Sequence, residues 1–248
     1  MTALSPRRRW ALRTLSVLVI LAAWELYARL PGVFLLAPPT AVLGVLVTDL
    51  AVERTLLWAL LSALRNAVAG YALAVGVGVP LGALVALWQP ARDVLDPILD
   101  ALHATPLVAL APVILIWFGL TSAAKVFLVF VFAVFVVTIN TRAGVANVPS
   151  GLTDAARVFG AGAPTLYGEV YLRYALPQVL TGLRLGAGRA VRGMVAAELF
   201  LFADDLGAYL IDSGATFDIA RLFAGVASLS VLGVLAVGAI ALVEARLT

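Results

Sequence analysis

The chain has 248 residues, of which 63% are hydrophobic and 12% charged, with a mean hydropathy of +1.06. Soluble domains average about 45–50% apolar and about 25% charged residues, so this composition excludes a water-soluble fold and requires a bilayer. The net charge of +3 comes mostly from arginines scattered at the ends of apolar runs, a mark of membrane orientation and not of nucleic-acid binding. With no cysteine, thiol catalysis, cysteine-ligated metals and disulfides are excluded.

A membrane helix needs about 20 mainly apolar residues at about 1.5 Å each. The first such run covers 10–30, behind Arg7, Arg8 and Arg9. It has a signal peptide's charged and apolar regions, but no convincing small-residue cleavage site, and further spans follow; an uncleaved first span is expected. Pro38 and Pro39 precede a short helix read as lying on the membrane surface. The second span, 56–88, is free of charge from Asn66 onward, and its Gly76, Gly78, Pro80 and Gly82 predict close packing or a bend. A turn at 89–93 leads to a third span, 94–118, kinked by Pro106 and Pro112. The fourth covers 123–141 and a polar loop follows at 142–176. The fifth is expected at 177–202, opened by Pro177; a loop covers 203–218, and the sixth span covers 222–243. The reading is one all-α membrane domain of about six transmembrane helices.

Arginine placement sets the orientation. With the N-terminal cluster inside the cell, Arg92, the 142–176 loop and Arg246 fall inside. Asp49, Glu53, Asp204, Asp205, Asp212 and Asp218 fall outside, with Arg29, Arg54, Lys125 and Arg221 as a minority. Both termini are then cytoplasmic. Trp10, Trp24, Trp58, Trp88 and Trp117 lie near span ends, as interfacial anchors do.

The 142–176 loop predicts two short helices. One runs over 152–162, capped by Thr153 or Ser150, with Asp154 in its first turn and Gly160 and Gly162 closing it; the other runs from Pro164 to Tyr171. Such a pair makes a rigid lug, able to transmit force from a soluble partner.

The fifth span carries charge through apolar sequence. Counted from Pro177, Arg184 stands about 10 Å in, within snorkelling reach of the interface, while Arg189 and Arg192 stand about 18 and 22 Å in. A charge facing lipid at that depth costs at least about 2.5–3.5 kcal/mol, so both must face protein or water. They line a path for an anion, or they pair with Glu198 or with helix carbonyls; the sequence leaves both open. Glu198, near the outer end, is a gate contact or an interfacial residue. Asn140 closes the fourth span with Thr138 and Thr141, either lining the inner mouth or bonding back to the helix. His103 has too few neighbouring ligands for a metal site and is read as a packing residue.

The lug resembles the Glu-Ala-Ala loop of binding-protein-dependent ABC importer permeases. Asp154-Ala155-Ala156 is followed after three residues by Gly160 and later by Val170-Tyr171-Leu172-Arg173. Asp154 stands for the usual glutamate and Arg173 for the usual proline. The stretches LAPPTAVLGVL, PLGALVALW, ATPLVALAPVILIWFGL, INTRAGVANV, LPQVLTGLRLG, VAAELF and LGAYLI narrow the resemblance to nitrate/sulfonate/taurine-type permeases. What the resemblance implies is a type I ABC importer permease fold with cytoplasmic coupling helices in a bacterial plasma (inner) membrane. It also implies two cytoplasmic ATPase subunits, a second and commonly identical permease copy, and a periplasmic or lipid-anchored solute-binding protein. Asp154, Ala155, Ala156 and Gly160 would dock into the ATPase. The implied solute is a small anion such as a sulfonate, taurine or nitrate, with pyrimidine vitamin precursors and riboflavin-like compounds as the alternative.

No G-x-x-x-x-G-K-[ST] phosphate loop occurs in the chain. ATP and its Mg²⁺ are therefore expected in the partner, and no cofactor in this chain. A gradient-driven transporter would show inverted repeats or paired intramembrane acids; neither is evident. An intramembrane enzyme would need a catalytic cluster that one histidine and no cysteine do not supply.

Overall fold

A computed structural model describes residues 6–201 and 205–247, and every regular element among them is helical. Helix α1 (Pro6–Ala28) leads through Pro38 to α2 (Pro39–Val47), which widens into a π-helical turn at Thr48–Val52. Helix α3 (Thr55–Leu87) is followed directly by α4 (Gln89–Ala104), with Trp88 alone extended between them. A 3-10 turn at Leu107–Leu110 then leads into α5 (Ala111–Phe118), and α6 (Ser122–Ala146) begins with Thr121 as its N-cap, the hydroxyl accepting from the Ala124 N–H at 3.4 Å. Next come α7 (Ser150–Val158) and α8 (Ala163–Thr165). A second π turn at Leu166–Tyr171 joins α8 to α9 (Leu172–Phe200), and α10 (Asp205–Ala215) and α11 (Ile219–Leu247) complete the chain.

Four of these helices are long and apolar enough to cross a bilayer: α1, α3, α6 and α11. Helices α4 and α5 make a fifth crossing only if taken as one span, because the chain bends by 94° between them. The expected kinked third span is thus broken outright. Pro106 sits in the break, and Pro112 lies at the start of α5, where its missing N–H leaves no bond unmade. The expected turn at 89–93 is the first turn of α4. Helix α9 has the length of a span, but its charges keep it out of the apolar class. It starts five residues earlier than expected and carries Pro177 inside it. The segment read as a loop at 203–218 contains α10. Its Asp204, like the expected end of the fifth span at Phe202 and the Arg246 side chain, lies outside the described residues.

Helix α6 is the axis of the bundle, flanked by α3 and α9. Lipid offers no hydrophobic drive for helices to associate, so contact depends on close backbone approach. Gly70, Ala74, Gly78 and Gly82 recur every fourth residue and place the smallest side chains of α3 against α6. A Cβ on Gly70 would stand 2.6 Å from the Val126 carbonyl oxygen, and one on Gly82 2.5 Å from that of Thr138. Residue numbers rise together along the seam, so α3 and α6 are parallel. Helix α9 answers with Gly182 against Asn140, Gly186 against Val137 and Gly193 against Phe132, in the antiparallel sense. Gly76, read as part of the packing, faces open space instead.

The buried core follows this arrangement. Leu56, Ala63, Val129, Ala133, Met194, Leu206 and Leu229 form one cluster joining α3, α6, α9, α10 and α11. Ile114, Leu128, Phe132, Ala197 and Leu201 form another beneath α5. Helix α1 stays peripheral and nearly wholly exposed; the Trp24 ring, read as an interfacial anchor, packs on Phe223 at 5.7 Å.

Candidate functional site

The arginines of α9 emerge on one helical face. Arg184, Leu185, Gly188, Arg189 and Arg192 follow the spacing that keeps residues on one side of a helix, and Gly188 has no neighbour within 4 Å of a Cβ. Opposite them lie Val136, Ile139 and Asn140 of α6, and His103 closes the rim from the last turn of α4. Together these residues bound a cavity of ≈ 420 Å³.

Asn140 is held on both sides of its amide. Its Nδ2 donates to the Val136 carbonyl at 2.8 Å, and its Oδ1 accepts from Gln178 Nε2 at 3.3 Å. Thr138 bonds back to the Val134 carbonyl at 2.8 Å, the second of its two expected roles. Among the described residues, Arg189 and Arg192 have no ion pair or hydrogen bond and no carboxylate lines the cavity. Guanidinium groups concentrated in one chamber present forked donors suited to a carboxylate, sulfonate or phosphate oxygen pair. His103, expected to be packed away, is exposed on this rim, and Arg184, expected to snorkel, lies with the other two arginines. Sequence reasoning missed both: nothing local places the end of α4 beside α6, and Arg184 was weighed by its depth along the helix and not by the face it shares with Arg189 and Arg192.

Glu198 is in none of this. It is 1% exposed and accepts from Lys125 Nζ at 3.0 Å and from the Gly207 N–H at 2.9 Å. Asp205 stands 3.7 Å from the same ammonium and accepts from the Ser62 hydroxyl at 2.5 Å. Glu198 therefore joins α6, α9 and the first turn of α10, and pairing with Arg189 or Arg192 is ruled out. Lys125, read as a residue of the membrane edge, is itself 1% exposed.

A second ionic cluster lies at this same end of the bundle. Asp49, 2% exposed, accepts from Tyr209 Oη at 2.7 Å and from Arg221 Nε at 2.9 Å. Burial opposes the Asp49 charge, but the Arg221 and Tyr209 hydrogen bonds outweigh it and hold the carboxyl below its usual range. Burial and the bond to that carboxylate push the Tyr209 phenol up.

At the far end of the bundle is the lug. Helix α7 starts at Ser150, two residues earlier than expected, after Pro149; no side chain caps it, and Thr153 instead donates to the Ser150 carbonyl at 2.8 Å. Asp154 consequently sits in the second turn, exposed, 3.6 Å from Arg157. Ala155 is exposed and Ala156 partly so. Gly160 closes the helix at φ +81°, with the Gly160 N–H on the Arg157 carbonyl and the Ala161 N–H on that of Ala156, each at 2.9 Å. This is a Schellman ending, which glycine adopts without steric cost. Just before it protrude Val158 and Phe159, 84% and 90% exposed, an apolar tip that sequence reasoning passed over. The second half of the lug, α8 and its π turn, runs straight on into α9, which carries the cavity arginines.

With the lug and cavity in place, comparison with known proteins settles the class. Residues 78–248 match the family described as binding-protein-dependent transport system inner membrane component. The chain belongs to this family: it is the membrane permease component of an ABC importer, a transport subunit and not a catalytic one. It is 31% identical to the putative aliphatic sulfonates transport permease of Bacillus subtilis, over 97% of this chain and 88% of that one. To the taurine transport system permease of Escherichia coli it is 31% identical, over 97% and 92% respectively. A putative ABC transporter permease of Methanocaldococcus jannaschii is also 31% identical, over 77% of this chain and 69% of its own.

Proposed function

We propose that this permease forms the translocation path of an ATP-driven importer for a small anion carrying a sulfonate or similar oxyanion, and that Arg189, Arg192 and Asn140 line it. The observation that carries this reading is the chamber on which Arg189 and Arg192 converge with Arg184, with no carboxylate among its described lining residues. The names of two relatives support it: aliphatic sulfonates and taurine both present a sulfonate. In the same reading the chain crosses a bacterial plasma (inner) membrane six times, in the type I importer arrangement, with α9 as the charged crossing and both termini in the cytoplasm. Asp154, Ala155, Ala156 and Gly160 form the coupling surface, with Val158 and Phe159 as its apolar tip in a cleft of the ATPase. Two ATPase subunits, a second copy of the chain and an extracytoplasmic solute-binding protein complete the assembly. Because α8 is continuous with α9, a push on the lug acts along the helix that bears the arginines.

The test is uptake by the reconstituted importer, with taurine, ethanesulfonate and nitrate as probes. A hydrogen bond to a charged group is worth about 1.5–3 kcal/mol, or about tenfold or more in rate or affinity. Replacing both arginines (R189Q/R192Q) is expected to lower uptake of the transported probe by at least that factor, with assembly and basal ATP hydrolysis unchanged. Undiminished uptake by the double variant refutes an anion-lined path.

A further inference from the structure

The turn between α10 and α11 ends in a backbone conformation that its sequence does not favour. Phe217 has φ +56°. Its N–H bonds to the Gly214 carbonyl at 3.2 Å, and the Asp218 N–H bonds to that of Ser213 at 2.9 Å. This repeats the Schellman ending seen at Gly160, but with a bulky aromatic at the position where glycine is preferred. A left-handed conformation is disfavoured for any residue with a Cβ, and for a large side chain it is a true outlier. These backbone bonds would form equally with glycine there, and the side chain adds nothing to them: Phe217 is 75% exposed and makes no ring contact among the described residues.

A strained residue left in the open points to something the ring meets elsewhere. Its surroundings say what kind of surface that is. Asp212 and Asp218 flank it, both exposed, and two carboxylates beside a ring argue against its immersion in hydrocarbon. Beneath the turn lies a small cavity of ≈ 220 Å³ whose lining includes Tyr209, Asp212, Ser213, Thr216 and Arg221. The Asp49–Arg221–Tyr209 cluster ties this turn to the end of α2. The turn is therefore a rigid, acid-rimmed projection at the opposite end of the bundle from the lug.

We propose that Phe217 is the anchor by which this permease receives its solute-binding protein. The ring enters an apolar depression on that protein, and Asp212 and Asp218 meet basic groups around it. Large aromatics at interface centres carry a disproportionate share of binding energy. The inference rests on the importer reading above. It implies that glycine at 217 would suit the fold better and the function worse.

The experiment uses the complete importer in nanodiscs, titrated with the solute-binding protein cross-linked to the chain in its native membranes, and reads stimulated ATP hydrolysis. F217G is expected to keep basal hydrolysis and an equal or higher melting midpoint, while half-maximal stimulation requires about tenfold more binding protein. F217W, which restores an aromatic ring, is expected to recover most of that loss. A benzophenone-bearing phenylalanine analogue at 217 is expected to form its adduct with the same binding protein. An unchanged titration for F217G overturns the anchor, and so does an adduct with lipid or with a second copy of this chain. A lower midpoint for F217G also overturns it, by showing that the ring holds the fold. Wild-type importer that shows no ATP hydrolysis at all would instead overturn the importer reading beneath it.

Discussion

Breaking the Lys125–Glu198 pair tests the account of how the helices are held. Both side chains are almost wholly buried, at 2% and 1% exposure, with the ammonium and carboxylate 3.0 Å apart. K125M removes the cation and leaves Glu198 with only the Gly207 N–H, 2.9 Å away. Leaving one partner of a buried pair uncompensated costs about 3–5 kcal/mol. For a chain of this size 1 kcal/mol corresponds to about 2–4 °C, so the melting midpoint in detergent should fall by about 6–20 °C. E198L should cost less, because Asp205 remains 3.7 Å from the ammonium. In the double variant no charge is stranded at Glu198; what remains is the unpaired Gly207 N–H, about 1–3 kcal/mol, and the loss of the ammonium 3.7 Å from Asp205, which keeps its Ser62 hydrogen bond. Its loss should therefore be well below the sum of the single losses. Tryptophan fluorescence on heating would read all three variants against wild type. A K125M midpoint within about 2 °C of wild type would refute the reasoning, as would a double variant as unstable as the two singles added together.

Other expectations follow from named contacts. A methyl group at Gly82 would stand 2.5 Å from the Thr138 carbonyl oxygen, so G82A should destabilise the chain by about 1–3 kcal/mol. G76A, in the same helix but facing open space, should be neutral or stabilising by about 0.5–1 kcal/mol; thermal melts of the pair check the sign difference. Because the folded-state pKa of Asp49 is lowered from 3.8, its ionisation adds stability that is fully present above that value and is lost as pH falls through the lower folded one. The midpoint of wild type should thus exceed that of D49N by a constant amount from pH 7 down to about 4 and converge with it below. A gap that widens on acidification would contradict the cluster.

Composition alone made the membrane fold legible, and helix existence followed from apolar length at α1, α3, α6 and α11. Arg189 and Arg192 were legible too, because charge deep inside apolar sequence is anomalous and needs a water-filled or paired environment. What escaped depends on distance or on breaks. Lys125 and Glu198 lie 73 residues apart, so no local pattern announces their pairing, and Glu198 read as a path or gate residue for want of it. His103 reaches the cavity from the last turn of α4, just before the 94° bend; Pro106 signalled a kink there but not its size. Helix α10 was hidden by Gly207, Gly214 and its aspartates, all loop-favouring residues overruled by burial of Leu206 and Leu210. Pro177 signalled a helix start but sits inside one, because the turns before it had already begun the helix.

The central claim is that this chain is a pathway driven by a partner's ATP hydrolysis through the α7 lug. Tagged purification from native membranes, with uptake measured before and after ATP depletion, tests it most directly. Wild type is expected to bring down a stoichiometric ATPase, with uptake abolished on depletion. G160V forces a β-branched residue to φ +81°, at a local cost of about 1–2 kcal/mol, and should lose that ATPase while the chain remains folded in the membrane. Recovery of the chain alone, with uptake indifferent to ATP, would contradict the account.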